Sequence, residues 1–384
     1  MLRIIATCFF ITFSAGLLTA QSHSPREFGM GGTSAASADY LNAGFSNPAL
    51  LTTFSEEKDD DWGLVVPNFS LQVSDRNNLI DALDDFNATF DALSAGGGSA
   101  AELNDLADLL NSLDDKHFNL AGGGGVAIAL PTKALSTALV INTAFEADGF
   151  LNIDPADAGT ITGGGGGIGA LNSEAVLLAS FHAEVGLAMA TEINFGNQAW
   201  SLGATPKMQS VEILDLVVNV SDSSDFEDRI DDGGRFSDDS FNLDLGAATM
   251  VNEHVRFGLS ARNLLGGSYT GLTGNYTYEL NPALTTGLAY INGPVTLAAD
   301  IDLNSSTRFE ENPSDDSQFV RLGAETSWEW AQLRAGYLID LEDNYANMAT
   351  AGIGFSPFGV MHLDLAGAVG DNSYGAAVSL SFTF

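Results

Sequence analysis

From residue 62 to residue 384, apolar side chains fall on alternate positions in one segment after another. The stretch YGAAVSLSFTF is the clearest case. Tyr374, Ala376, Val378, Leu380, Phe382 and Phe384 alternate with Gly375, Ala377, Ser379, Ser381 and Thr383. Period two predicts a strand with one apolar and one polar face. The same reading predicts strands over 62–73, 118–130, 134–147, 174–192, 199–219, 240–251, 254–264, 276–290, 294–303, 318–328, 332–341, 348–356, 360–369 and 374–384. An even set of this size fits a closed antiparallel transmembrane β-barrel of about 14 strands, an all-β fold. A bare terminal strand is a pairing hazard at a sheet edge, and closure onto the first strand removes it.

The connections divide into two kinds. Pro131-Thr132-Lys133, Asn252-Glu253, Asn292-Gly293, Glu329-Trp330-Ala331 and Pro357-Phe358-Gly359 are short. The stretches 74–117, 148–173, 220–239, 265–275, 304–317 and 342–347 are long, acidic or glycine-rich. Outer-membrane barrels have short periplasmic turns and longer external loops. Trp62, Trp200, Trp328 and Trp330 fall at the short-turn ends, and Tyr269, Tyr276, Tyr345 and Tyr374 near the long-loop ends. Interfacial aromatic belts predict that distribution. Charge follows the alternation. Val295, Leu297, Ala299, Ile301 and Leu303 oppose Asp300 and Asp302. Leu333, Ala335, Tyr337 and Ile339 oppose Arg334 and Asp340, and Val255, Phe257 and Leu259 oppose Arg256 and Arg262. A charge facing mid-bilayer lipid costs about 2–4 kcal/mol, so these charges face the lumen.

Two segments break the pattern. Leu79, Ile80, Leu83, Phe86, Phe90 and Leu93, then Leu103, Leu106, Leu110 and Leu113, recur at helical spacing on either side of Gly96-Gly97-Gly98. They predict a helical hairpin over 75–116, inserted in the first outer loop, whose apolar stripe covers the barrel rim or receives a ligand or partner. At the other extreme, Arg3 followed by the uncharged stretch Ile4–Ala20 reads as a signal peptide, residues 1–20, cleaved after Ala20. Cys8, the only cysteine, lies within it. The mature chain is therefore expected to hold no disulfide, thiolate metal site or CxxC redox pair. The formal charge of −36 argues against nucleic acid, which needs clustered Lys and Arg. The acidic loops lack EF-hand spacing.

Candidate chemistry is sparse. Ser180, His182 and Glu184 share one face of a strand, but i and i+2 neighbours stand nearly 7 Å apart by the strand rise. Direct proton transfer needs about 3 Å. They read as a polar row in the lumen, as do His362 and Asp364. Gly122 to Gly125 and Gly163 to Gly167 lack a following GK[ST], so they suggest strand bending or close backbone approach rather than phosphate binding. No catalytic residue, metal site or cofactor is assigned, and the chain is not expected to be an enzyme. Lys207, Arg256, Arg262, Arg321 and Arg334 face inward. They pair with lumen carboxylates such as Asp244, Asp300, Glu325 and Asp364, or receive an anionic headgroup.

The stretch Arg26 to Leu51, RxFGMGGTSAASAD…NAGFSNPALL, resembles the amino-terminal hatch of the long-chain fatty-acid transporter (FadL) superfamily, best at Asn47-Pro48-Ala49. The stretch LRAGYLIDLEDNYANMATAGIGFSPFGVMHLDLA is similar to that superfamily's last strands. More narrowly, DDDWGLVVPNFSLQVSDRNNLIDALDDF and LGATPKMQ resemble the plasmid-transfer TraF-like barrels. The resemblance implies a hatch or plug over 21–61 within a barrel over 62–384, and passage of hydrophobic molecules, including sideways passage. It implies assembly in a Gram-negative outer membrane by machinery that recognises the terminal aromatic strand, with Phe382 and Phe384 as the signal. Expected partners are outer-membrane lipid, the barrel assembly machinery, a hydrophobic small-molecule ligand and conjugation proteins. Three functions stay open: hatch-gated passage of small hydrophobic compounds, a structural or accessory role in plasmid conjugation without transport, and a barrel lipid hydrolase.

Overall fold

The computed structural model describes residues 24–54, 61–114, 116–163, 171–221, 235–312 and 315–384. The expected leader, with Cys8, and most of Gly163 to Gly167 lie outside them. Fourteen antiparallel strands close into a barrel. They are β1 (Gly63–Ser74), β2 (His117–Leu130), β3 (Ser136–Asn152), β4 (Glu174–Phe195), β5 (Gln198–Asn219), β6 (Phe236–Met250) and β7 (Val255–Arg262). After a separate small hairpin, β8 (Ser268–Thr270) and β9 (Thr277–Glu279), come β10 (Ala283–Asn292), β11 (Val295–Asp302), β12 (Phe319–Ser327) and β13 (Ala331–Asp340). β14 (Met348–Phe355), β15 (Met361–Gly370) and β16 (Ser373–Thr383) complete the wall. Closure satisfies every strand edge internally, which lipid requires.

The expected strand over 276–290 is corrected. Residues 277–279 leave the wall to pair with 268–270, and the wall strand begins only at Ala283. Pro282 has no N–H to donate to the ladder, and the Asn281 side chain donates to the Thr307 carbonyl instead. The chain therefore bends at 280–282 rather than running straight.

The seam closes at the short-turn end. Asp61 and Trp62 donate N–H groups to the Phe384 carbonyl, Phe384 donates back to Trp62, and the two rings stack 4.3 Å apart. Trp328, Trp330 and Phe358 stand exposed at the same end. The apolar faces of the strands are exposed to the outside, as at Leu297, Leu333 and Val378, whereas Asp300 and Arg334 are buried inside. The tyrosine expectation is corrected at the opposite end. Tyr374 is exposed, but Tyr269, Tyr276 and Tyr345 are buried. The β8–β9 hairpin folds inward, so Tyr269, Tyr276 and Tyr278 join Phe150 and Phe309 in a core at the barrel mouth.

The first long connection forms helices α2 (Leu79–Gly96) and α3 (Ala100–Asn111). Asp75 accepts the N–H groups of Leu79 and Ile80, and Ser99 with Glu102 makes a reciprocal capping box, the arrangement that satisfies first-turn donors. Gly97 has φ +70° between the helices. Phe86, Leu106, Leu110 and Leu113 are fully buried against Phe118, Leu120, Phe145 and the helix Pro155–Thr162. The stripe is thus spent on the rim, and Asp81, Asp84, Asp105 and Asp108 face outward. No helix among the described residues is long and apolar enough to cross a membrane.

Candidate functional site: the lumen and its amino-terminal plug

Residues 24–54 lie inside the barrel. They begin with α1 (Pro25–Gly29), capped by Ser24 and Glu27, and end with the 3-10 turn Pro48–Thr53. Asn47 is fully buried and uses both ends of its amide. Its Nδ2 donates to the Ala35 carbonyl at 2.6 Å, and its Oδ1 caps Ala49 N–H at 3.1 Å. Pro48 supplies the fixed φ that starts the turn. Ala49 is equally buried because Gly203 and Gly246 of the wall lie against the Pro48–Ala49 backbone. A Cβ on either glycine would overlap that backbone. Gly258 against Ala35 and Gly336 against Gly31 repeat the arrangement. Backbone meets backbone around much of the circumference, so the segment is fitted to the wall without slack.

Charge fixes its orientation. Arg26 makes two 2.9 Å hydrogen bonds to Glu325 and a third, of 2.6 Å, to the Ser37 carbonyl. Glu325 also accepts from Arg334 at 2.7 Å, and Arg334 reaches Asp364. Asp300 accepts the N–H groups of Ser34 and Ala35 at 2.7 and 2.8 Å. Burial, with Asp39 nearby, pushes the Glu27 carboxyl up to about 8.

Above this segment lies a cavity of about 260 Å³. Phe28, Gly31, Gly44 and Phe45 form its floor, and Tyr278, Leu280, Ser306 and Arg308 are among its outer boundary. One side carries Leu71, Gly122, Phe319, Leu338 and Met348, with the Arg321–Asp302 ion pair beside Phe319. The facing wall carries Asn142, His182, Glu184, Thr205, Lys207 and Arg262. The roof is tied down at Arg308, which pairs with Glu146 and Asp315, stands 3.9 Å from Asp148, and packs over the Tyr345 ring. Burial pushes the Asp315 carboxyl up to about 7, against the attraction of Arg308.

The five inward cations have different fates. Lys207 is neutralised by Glu184 and Asp244, both at 3.0 Å. Arg321 pairs with Asp302, not Asp300, because Asp300 is engaged with the plug. Arg334 belongs to the plug anchor. Arg256 donates to the Ala36 carbonyl at 3.3 Å. Arg262 lines the cavity and makes neither hydrogen bond nor ion pair among the described residues. Lys207, Arg262 and Arg321 therefore share the cavity, whereas Arg256 and Arg334 hold the plug. Around His362 the polar row is split. His362 pairs with Ser356 at 2.7 Å and Thr383 at 3.1 Å, while Asp364 serves Arg334. Sequence reasoning placed Asp302 in the lumen without its partner Arg321, and missed Glu146 and Arg308. Alternation marks Glu146 and Asp302 as inward, but Arg308 sits in a loop where no period applies.

Comparison with known proteins places this architecture. No curated protein matches the sequence. Among solved structures, a deltaS2S3 mutant of the TodX monoaromatic hydrocarbon channel superposes with a TM-score of 0.56 at 13% identity, covering 94% of this chain and 99% of that one. The Pseudomonas putida toluene transporter TodX gives 0.53 at 14%, covering 95% and 99%. A Pseudomonas aeruginosa FadL homologue gives 0.53 at 10%, covering 96% and 99%. At such identities the likeness is one of fold. Residues 44–302 match the family model described as "F plasmid transfer operon, TraF, protein". With that match running through most of a FadL-like barrel, the chain belongs to this TraF family of outer-membrane β-barrels.

Proposed function

We propose that the chain is a hatch-gated outer-membrane channel for small hydrophobic compounds. The observation that carries the reading is the cavity held between the plug and the folded-in loops, with Leu71, Phe319, Leu338 and Met348 on one side and Phe28 and Phe45 in its floor. A compound entering from outside meets the roof, then the cavity, then a plug fitted tightly to the wall. Sideways exit has a candidate route. The register of β1 shifts on both sides around Pro67, and the β2 stretch opposite is Gly122 to Gly125, which carries no side chains beyond hydrogen. Ser70, Leu71 and Gly122 reach the cavity from that stretch. The names of the solved relatives, channels for toluene and monoaromatic hydrocarbons, agree with this substrate class.

The test is uptake of labelled toluene into liposomes containing the purified barrel. Uptake above empty liposomes, reduced by bulky substitution of Gly122, supports the channel. Uptake equal to empty liposomes removes it. A second reading follows from the family's description as a plasmid-transfer protein. There the acidic outer faces of α2 and α3 would meet other conjugation proteins. Deletion of 75–116 should then reduce plasmid transfer while leaving toluene uptake unchanged.

A further inference from the structure

The helical hairpin meets the barrel where the wall is thinnest. Phe118, Leu120 and Gly122 alternate along β2 on its outward face, and Gly122 stands opposite Phe145 of β3. On that face the hairpin buries Phe86, Leu106 and Leu110 against Phe118, Leu120 and Phe145. The cover ends at one level. Val73 of β1 packs on the hairpin core, whereas Phe69 on the same face is exposed. On β3 Phe145 is covered and Ile141 is exposed. Leu71 and Gly122, paired with each other, lie at that edge, and both also line the cavity. A Cβ on Gly122 would stand 2.7 Å from Phe145 Cε1 and 3.0 Å from Leu71 Cδ1. The missing side chain therefore brings the cavity next to the apolar seam beneath the hairpin.

The seam is held by apolar contact alone. Residues 79–111 make no hydrogen bond or ion pair outside the connection 75–116 among the described residues. The folded-in loops, by contrast, are pinned by polar ties. Asp215 accepts the N–H groups of Leu272 and Thr273, and Arg308 pairs with Glu146 and Asp315. Parting such ties leaves buried donors and acceptors unmatched, at a cost. Apolar attraction has no direction, so an apolar guest entering the seam replaces the contacts it displaces. Resting on the channel reading above, we propose that the α2–α3 hairpin gates the sideways route. An apolar compound leaves the cavity at Gly122, enters the seam against Phe145 as the hairpin parts from the wall, and reaches lipid beside Leu71 and Phe69.

The experiment is photolabelling of the full-length purified barrel, in a maltoside detergent, with trifluoromethyl phenyldiazirine, a monoaromatic probe. Labelled positions are read by peptide mass spectrometry. The expected result is label at Phe45 in the cavity floor and at Phe86 or Phe145 in the seam. Each variant is first checked for an unchanged heat-modifiable folded band. G122L, whose side chain fills the junction, should lower seam labelling at least tenfold and leave Phe45 labelled. L110A, which loosens the hairpin and leaves the wall untouched, should raise seam labelling several-fold, and adding G122L to it should abolish the rise. Where G122L does not fold, L110A carries the test, and seam labelling unchanged by it overturns the gate. Seam labelling that persists in G122L overturns the inference, because the probe then arrives from the detergent. Label at Phe45 with none in the seam overturns the gate and leaves the channel reading intact. Label at neither place overturns the gate, and the liposome uptake of toluene then decides separately whether the channel stands.

Discussion

Glu325→Ala should release the plug. Glu325 is the shared acceptor of Arg26 from the plug and Arg334 from the wall, through three hydrogen bonds of 2.7 to 2.9 Å. Removing one partner of a buried ion pair costs about 3–5 kcal/mol, because the opposite charge stays buried. Here Arg334 keeps Asp364 and Arg26 keeps the Ser37 carbonyl, so the low end applies, about 3 kcal/mol. At about 1.4 kcal/mol per factor of ten, the ratio of plugged to unplugged barrels falls roughly 100- to 200-fold. The barrel wall itself loses no ladder bond, so the folded band on a cold gel should persist. Planar-bilayer recording of the purified variant should show frequent large openings that are rare in the unsubstituted protein. Glu325→Gln, which keeps the shape and an acceptor, should fall between the two. A Glu325→Ala barrel that stays as closed as the unsubstituted one would refute the claim that this network holds the plug.

Other outcomes can be read in the same way. Gly258→Val should also open the barrel, since its side chain would overlap the Ala35 backbone; unchanged conductance would mean the plug has slack. Loss of the Phe384 ring in Phe384→Ala removes the stack on Trp62, and the folded fraction recovered from outer membranes should drop several-fold. Leu106→Ala empties a fully buried site in the helical hairpin and should cost about 2–5 kcal/mol locally, seen as faster proteolysis within 75–116 while the barrel band is retained. Glu27 titrates above its ordinary range, so its folded form prefers the proton. That contribution to plug stability is complete below about 4.5 and is lost as pH rises through about 8. Openings should therefore increase as pH rises from about 5 to about 8 and level off above it, and Glu27→Gln should flatten the profile.

The sequence by itself determined the wall. Alternation is a local property of an extended chain, and exposure to lipid on one side makes it strict. Strand number, inward charges such as Arg334 and Asp300, and outward residues such as Leu333 could all be read from it. So could the helical spacing from Leu79 to Leu113, because a period of 3.6 is equally local. Only the tertiary structure decided what fills the barrel. Tyr269 and Tyr276 are as aromatic as Tyr374, yet they are buried because Pro282 ends a ladder and turns their hairpin inward. Arg308 meets Glu146, 162 positions away in sequence, and Arg26 meets Glu325 across 299. Lys207 and Arg262 look alike along their strands, but neighbours brought in by barrel closure neutralise the first with two carboxylates and give the second no hydrogen bond or ion pair among the described residues. Long-range pairing has no period, so the partners of the plug and the polarity of the cavity emerge only when the fourteen strands are closed around them.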